Sequence, residues 1–228
     1  MHTFTGYIAD VLKVGEICQA KGIIFVLNVS QSAGNMPVDV GRLPVDAVVC
    51  AGYKWLCGPY GTGFFWMDPG LRSILEYNQV YWSLLSEEVL HGEDKLVLPQ
   101  VNHARKYDVF GTANFFNFKP FRAAIDYWLK IGMNEVQSYH HRLIDIFIDG
   151  LDYNQYHLIS PTDKNKRSSL VVLSHRLKEK NQAIHQRLKE QGIYTAFWKG
   201  HLRISPHVYN TSEEINKLIN ELNRIPSP

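Results

Sequence analysis

A lysine between two aromatic residues, followed by a glycine-rich turn, carries the most chemistry in this chain. Tyr53-Lys54-Trp55 ends the apolar run 47–50, and Gly58-Pro59-Tyr60-Gly61-Thr62-Gly63 leads into the next apolar run. An amine held near rings and away from water can give up its proton, and a neutral lysine condenses with carbonyl compounds. The same residues also read as an ordinary hairpin with a solvated surface charge. Upstream, the apolar run 23–27 places Asn28 and Gln31 just past its carboxyl end, where open α/β sheets bind ligands. Near the C-terminus, Arg203 in His201-Leu202-Arg203-Ile204-Ser205 supplies a planar, two-pronged donor suited to a carboxylate, or to a structural acid nearby.

Positioning these groups calls for alternating helices and strands. Ile8, Val11, Leu12, Gly15 and Cys18 recur at helical spacing within 7–21, and Gly22 closes that helix. Strands are expected at 23–27, 45–51 and 64–67, the rhythm of a parallel α/β sheet. Residues 73–101 have no clean period, and their acids Glu87, Glu88, Glu93 and Asp94 suit a solvated loop. From Phe121 the pattern is helical, with Ala124, Ile125, Trp128 and Leu129 on one face; Gly132 interrupts it and 136–151 resumes it. Beyond that, strand 168–173, helix 178–191, strand 194–205 and helix 212–224 follow. Asn210-Thr211-Ser212-Glu213-Glu214 supplies the last helix with a cap and early acids. The expected division is a first domain over 1–134 and a second over 135–228.

The totals exclude some classes of partner. With Lys+Arg 24 against Asp+Glu 22 in 228 residues, a net charge of +2 gives no electrostatic footprint for nucleic acid or a membrane surface. Cys18, Cys50 and Cys57 form no CxxC pair, and an odd, scattered set suits a reducing compartment. No apolar run approaches the roughly 18 residues that span a bilayer. These features together give a cytoplasmic expectation.

Asn28-Val29-Ser30-Gln31 followed by Lys54-Trp55-Leu56-Cys57-Gly58-Pro59-Tyr60-Gly61-Thr62-Gly63 resembles the class V aminotransferase family of pyridoxal 5′-phosphate (PLP) enzymes. That family includes cysteine desulfurases, kynureninase and isopenicillin epimerase-like proteins. The resemblance implies an α/β fold of the aspartate aminotransferase-like type: a partial PLP-binding large domain with a mostly parallel sheet, then a small α+β C-terminal domain. It implies PLP as cofactor and an amino-acid-like substrate. By resemblance Lys54 is the Schiff-base lysine, Gln31 bonds the cofactor's phenolic oxygen, Asn28 faces the ring nitrogen, and Tyr53 serves the phosphate. Thr112, after Gly111, reaches the phosphate of a second subunit across a homodimer interface, or else shares with Asn114 the capping of the next helix. Arg203, followed by Tyr209-Asn210-Thr211, grips the substrate's α-carboxylate.

Three departures from the family pattern matter. Asn28 stands where the family has an aspartate that keeps the ring nitrogen protonated, which weakens the electron sink. Ala51 replaces a phosphate-binding serine of desulfurase-like members. No cysteine lies on a loop before the arginine segment, which argues against a cysteine desulfurase. The resemblance also places helix 7–21 well inside the large domain, so an N-terminal portion or a partner chain is expected to supply the phosphate cradle. The alternative expectation is a catalytically inactive remnant that dimerises or binds a partner.

Overall fold

Residues 1–75, 104–107 and 114–224 are described by the computed structural model. The first helix, α1 (Val11–Ala20), is opened by Asp10, whose carboxylate accepts the Lys13 amide N–H. It begins later than the periodicity predicts because the preceding backbone is bonded elsewhere. The Ile8 amide donates to Lys166 O at 2.8 Å, and Gly6 O accepts from the Ser168 amide.

Strands β1 (Val26–Asn28), β2 (Ala47–Ala51) and β3 (Gly63–Met67) form a three-stranded sheet in that order. β1 and β2 are parallel, with Val26 opposite Ala47; β3 returns antiparallel, with Ala51 opposite Gly63. The lysine turn is therefore the loop at the carboxyl end of β2. A short helix, α2 (Pro69–Ile74), follows, capped by Asp68.

Helix α3 (Phe115–Ile131) starts six residues before the predicted face, because Asn114 caps it by accepting the Asn117 amide N–H. Gly132, at φ +89°, separates it from α4 (Met133–Gly150). α3 and the N-terminal end of α4 seal the first core, which gathers Val29, Val48, Leu56, Phe121, Trp128 and Val136.

The C-terminal part is a four-stranded antiparallel sheet in the order β4-β5-β7-β6. Its strands are β4 (Tyr156–Leu158), β5 (Val171–His175), β6 (Ala196–Trp198) and β7 (His201–Ile204). Two outcomes differ from the sequence expectation. The predicted strand 194–205 is a hairpin, folded at Lys199 and Gly200, both in the left-handed region at φ +52° and +79°. The predicted strand 168–173 moves to 171–175, because the N-terminal segment pairs with 166–168. β4, three residues long, was too short to leave a period. Helices α5 (Asn181–Glu190) and α6 (Ser212–Asn223) cover the sheet; Thr211 and Glu214 close the predicted capping box. Leu143, Ile144, Phe147, Leu173, Leu202 and Leu222 centre this second core.

Candidate functional site

Parallel pairing of β1 and β2 puts both carboxyl ends on one side of the sheet, so the Asn28–Gln31 loop and the Lys54 turn become neighbours. The Ala51 amide donates to Ser30 Oγ at 2.8 Å, tying the two together. The turn is pinned internally by Gly52 N–H to Thr62 O (2.8 Å), Gly58 N–H to Gly52 O (2.9 Å) and Cys57 N–H to Lys54 O (3.0 Å). Gly34, at φ +85°, lies directly under it, where a Cβ would overlap the Trp55 carbonyl.

Above this turn a cavity of about 230 Å³ brings together Gln31, Lys54 and Arg203, walled by Trp55, His207 and Tyr209. These groups come from three distant parts of the sequence, and a chain of hydrogen bonds links them. Trp55 Nε1–H donates to Gln31 Oε1 at 2.9 Å, and the Gln31 Nε2 amide donates to Thr3 Oγ1 at 2.9 Å. Arg203 Nη1 lies 3.5 Å from both Thr3 O and Thr3 Oγ1, while its Nε is buried with no partner. Among the described residues neither Lys54 nor Arg203 forms a salt bridge. Lys54 and Arg203 both line this small cavity, and none of its described lining residues is an acid, a setting that suits an anionic ligand. Behind Lys54, burial pushes the Cys50 thiol up to about 11, with the lysine charge acting in the opposite direction.

Other predicted residues lie apart from the cavity. Asn28 ends β1 with an exposed side chain, and its Oδ1 accepts the Ser30 amide N–H at 2.9 Å. Tyr53 is exposed and stacks on Tyr60 with ring centroids 4.8 Å apart. Thr112 falls outside the described residues, although Asn114, the other cap candidate, fills that role. A larger cavity of about 470 Å³ opens between the turn after α5 and the start of α6, near Tyr194, Asn210 and Lys217. Of the predicted site residues that are described, none lines it.

Sequence reasoning missed Thr3, which sits in an aperiodic turn, and the ring cluster under the cavity. There Trp55, Trp128 and His140 pack around His207 with centroids 5.2, 5.0 and 5.1 Å from its ring. The Trp128 Nε1–H donates to Leu56 O at 2.9 Å. His140 Nδ1 meets Asn35 O at 3.3 Å, and burial, aided by His207, lowers its pKa to about 4. Trp128 was legible only as a helix-face residue, and neither histidine carried a pattern. Among the described residues no group of three or more His, Cys, Asp or Glu is placed to hold a metal, and no helix is long and apolar enough to cross a membrane.

Comparison with known proteins gives a match to the aminotransferase class-V family model over residues 1–218. A probable cysteine desulfurase of Methanothermobacter thermautotrophicus is 28% identical, with 96% of this chain aligned to 57% of the relative. The cysteine desulfurase CsdA of Escherichia coli superposes with a TM-score of 0.83 at 20% identity, covering 98% of this chain and 57% of that one. A variant of C-DES with glycine covalently linked to its PLP cofactor gives a TM-score of 0.82 at 22% identity, over 97% of this chain and 58% of that one. The chain thus spans a little over half the length of the relatives it matches.

Proposed function

Because this chain belongs to the aminotransferase class V family, we propose that it is a PLP-dependent enzyme acting on an amino-acid-like substrate, with Lys54 as the Schiff-base lysine. The observation that carries this reading is the single cavity shared by Lys54, Gln31 and Arg203. The donor set suits such a cofactor and substrate. It offers an amine for an aldehyde, an amide N–H for a phenolate oxygen, and a guanidinium with an unpartnered buried Nε for a carboxylate. When bound, PLP draws electrons away from the substrate carbon that bears the nitrogen.

Each residue then has its own task. Lys54 would hold the cofactor at Nζ and, once the substrate's own amine had displaced it, would carry at that Nζ the proton removed from the substrate carbon. Gln31, oriented by Trp55 Nε1–H, turns its amide N–H toward the phenolic oxygen in place of Thr3. Arg203 would take the α-carboxylate, with the Trp55 and Tyr209 rings lining the cavity beside it. Asn28, whose side chain lies outside the cavity and accepts the Ser30 amide N–H, would have to turn to face the ring nitrogen, and there it would favour a protonated ring less than an aspartate does. Tyr53 and Thr112 remain proposals for the phosphate, Thr112 across a homodimer.

The full site on this reading needs a segment supplied in cis or by a partner chain, which adds the phosphate cradle. Support comes from the partial coverage of relatives and the apolar residues left open around β1. The reading divides the chain into a large-domain part over 1–134 and a small domain over 135–228.

The test is to mix the purified chain with PLP, reduce with borohydride and map the modified lysine by peptide mass. A stoichiometric label on Lys54, lost in Lys54→Ala, supports the reading. Scattered labelling, or none, means that the site needs that further segment or that the chain is a catalytically inactive remnant that acts through dimerisation or partner binding.

A further inference from the structure

The contacts of His207 show a role beyond filling space. Strand β7 carries Arg203 and ends at Ile204; Pro206 then stops the strand. The turn that follows is closed from both sides: the His207 amide donates to Asn210 Oδ1 at 2.9 Å and the Asn210 amide to His207 O at 2.9 Å. This fixed turn aims the His207 ring back across the cavity floor, where it is 3% exposed.

Each ring nitrogen has a close partner that can play only one part, and the Cys57 Sγ makes a longer contact with Nε2 at 3.9 Å. At Nδ1 the ring meets the Val208 amide at 2.7 Å, and an amide N–H can only donate. At Nε2 it meets Trp55 O at 2.9 Å, and a carbonyl can only accept. The ring is therefore neutral, bare at Nδ1 and protonated at Nε2. Burial lowers its pKa, which agrees with that form. The groups that face it are His140 from α4, Trp128 from α3, Trp55 and Cys57 from the lysine turn, and Tyr209 from its own turn; none is a carboxylate.

The bond to Trp55 O closes a circuit. From His207 it passes to Trp55, through the indole N–H to Gln31, through the amide to Thr3, and from Thr3 to Arg203, four residues from His207 along the chain. Lys54 precedes Trp55 and lines the cavity inside that circuit. Leu56 of the lysine turn and Leu202 and Ile204 of the arginine strand belong to different cores, and Trp55 packs with Leu170 and Val172 in a small cluster between them, so the separation of turn and strand is set by contacts that cross.

We propose that His207 is a positioning residue that clasps the lysine turn to the arginine strand end through its neutral Nε2–H form, fixing the distance between the Lys54 amine and the Arg203 guanidinium. This rests on the function proposed above. A compact α-amino acid presents a nitrogen and a carboxylate at a fixed short spacing, and the clasp holds the two protein groups to match it.

The experiment compares the full wild-type chain with His207→Phe, which keeps a ring but removes both hydrogen bonds, and His207→Gln, which can restore a donor to Trp55 O. Amide hydrogen exchange is followed in peptides covering 52–58, 205–210 and 171–175, the last reporting the C-terminal core. In His207→Phe, exchange rises about fivefold, the change expected for one net hydrogen bond, in both 52–58 and 205–210. Exchange in 171–175 stays unchanged, and His207→Gln returns toward wild type. With PLP present, His207→Phe weakens amino-acid binding by about the same factor while Lys54 still takes the borohydride label.

A change confined to 205–210, an equal rise in 171–175, or a Gln variant that behaves like Phe overturns the proposal. If the wild-type Lys54 takes no label while the exchange pattern holds, the cofactor reading falls and the clasp stands. If Lys54 is labelled and 52–58 does not respond to His207→Phe, the clasp alone falls.

Discussion

The two sheets of this chain are finished to different degrees. In the C-terminal sheet, β5 is buried along its whole length, and α6 buries Ile215, Leu218, Ile219 and Leu222 beneath it. In the N-terminal sheet, β1 is mostly exposed, Ile24 and Val26 are each 54% accessible, and Phe64 and Phe65 of β3 are about two-fifths exposed. Parallel strands are normally covered on both faces. The C-terminal unit closes its own core, whereas the sheet that bears the lysine presents apolar residues that stay exposed among the described residues. The candidate site lies where the two meet, lined by Gln31 and Lys54 from one side and Leu170 and Arg203 from the other.

The contrast can be broken most directly in the two cores. Phe147→Ala, at a fully buried site of the C-terminal core, lowers unfolding stability by about 3–5 kcal/mol. Val26→Ala on the open face costs under about 0.5 kcal/mol. Denaturant melts of both variants check this, and equal losses erase the distinction.

The junction is sharpened by pH. Because His140 is held at about 4, below the usual histidine range, the unfolded chain takes up that proton first. Its contribution is present in full above pH 6.5 and is lost as the pH falls through 4, a change on the order of 3 kcal/mol. Stability curves over that window should flatten in His140→Asn; an unchanged slope assigns the pH dependence elsewhere.

Arg203→Ala separates the tasks of the two sides. It weakens carboxylate binding by about ten- to hundredfold, as expected for a charged hydrogen bond, and leaves Lys54 labelling intact. Amino-acid titration of the PLP-treated chain measures the first effect and peptide mass the second. Loss of folding instead makes Arg203 a structural group.

The smallest effect is expected on the unfinished side. Asn28→Asp restores a charge toward the ring nitrogen and raises PLP affinity by about fivefold, on the order of 1 kcal/mol. No change, or a loss, places Asn28 away from the cofactor. That outcome would agree with its exposed side chain and its bond to the Ser30 amide.

Much of the site was legible because its signals are local. An apolar run that ends in an aromatic-flanked lysine and repeated glycines describes a strand and a tight turn within a few residues. The structure keeps both, with Ala51 paired to Gly63 across the turn. The capping of α6 by Thr211 and Glu214 was equally readable. The hairpin at Lys199-Gly200 was not read, although Gly200 in the middle of 194–205 is the local signal that the run divides there. Thr3 and His207 left no trace because a single hydroxyl or imidazole has no period, and their partners lie at Gln31 and Trp55.

The sequence by itself determined the family and the local elements that hold the candidate groups, because backbone preferences and turn chemistry act over a few residues. Only the tertiary structure decided that Lys54, Gln31 and Arg203 face one cavity and that Asn28 and Tyr53 stand outside it. The reason is that the contacts setting those positions join residues 24 to 200 apart in the chain, where packing and burial, not neighbouring sequence, choose the partner.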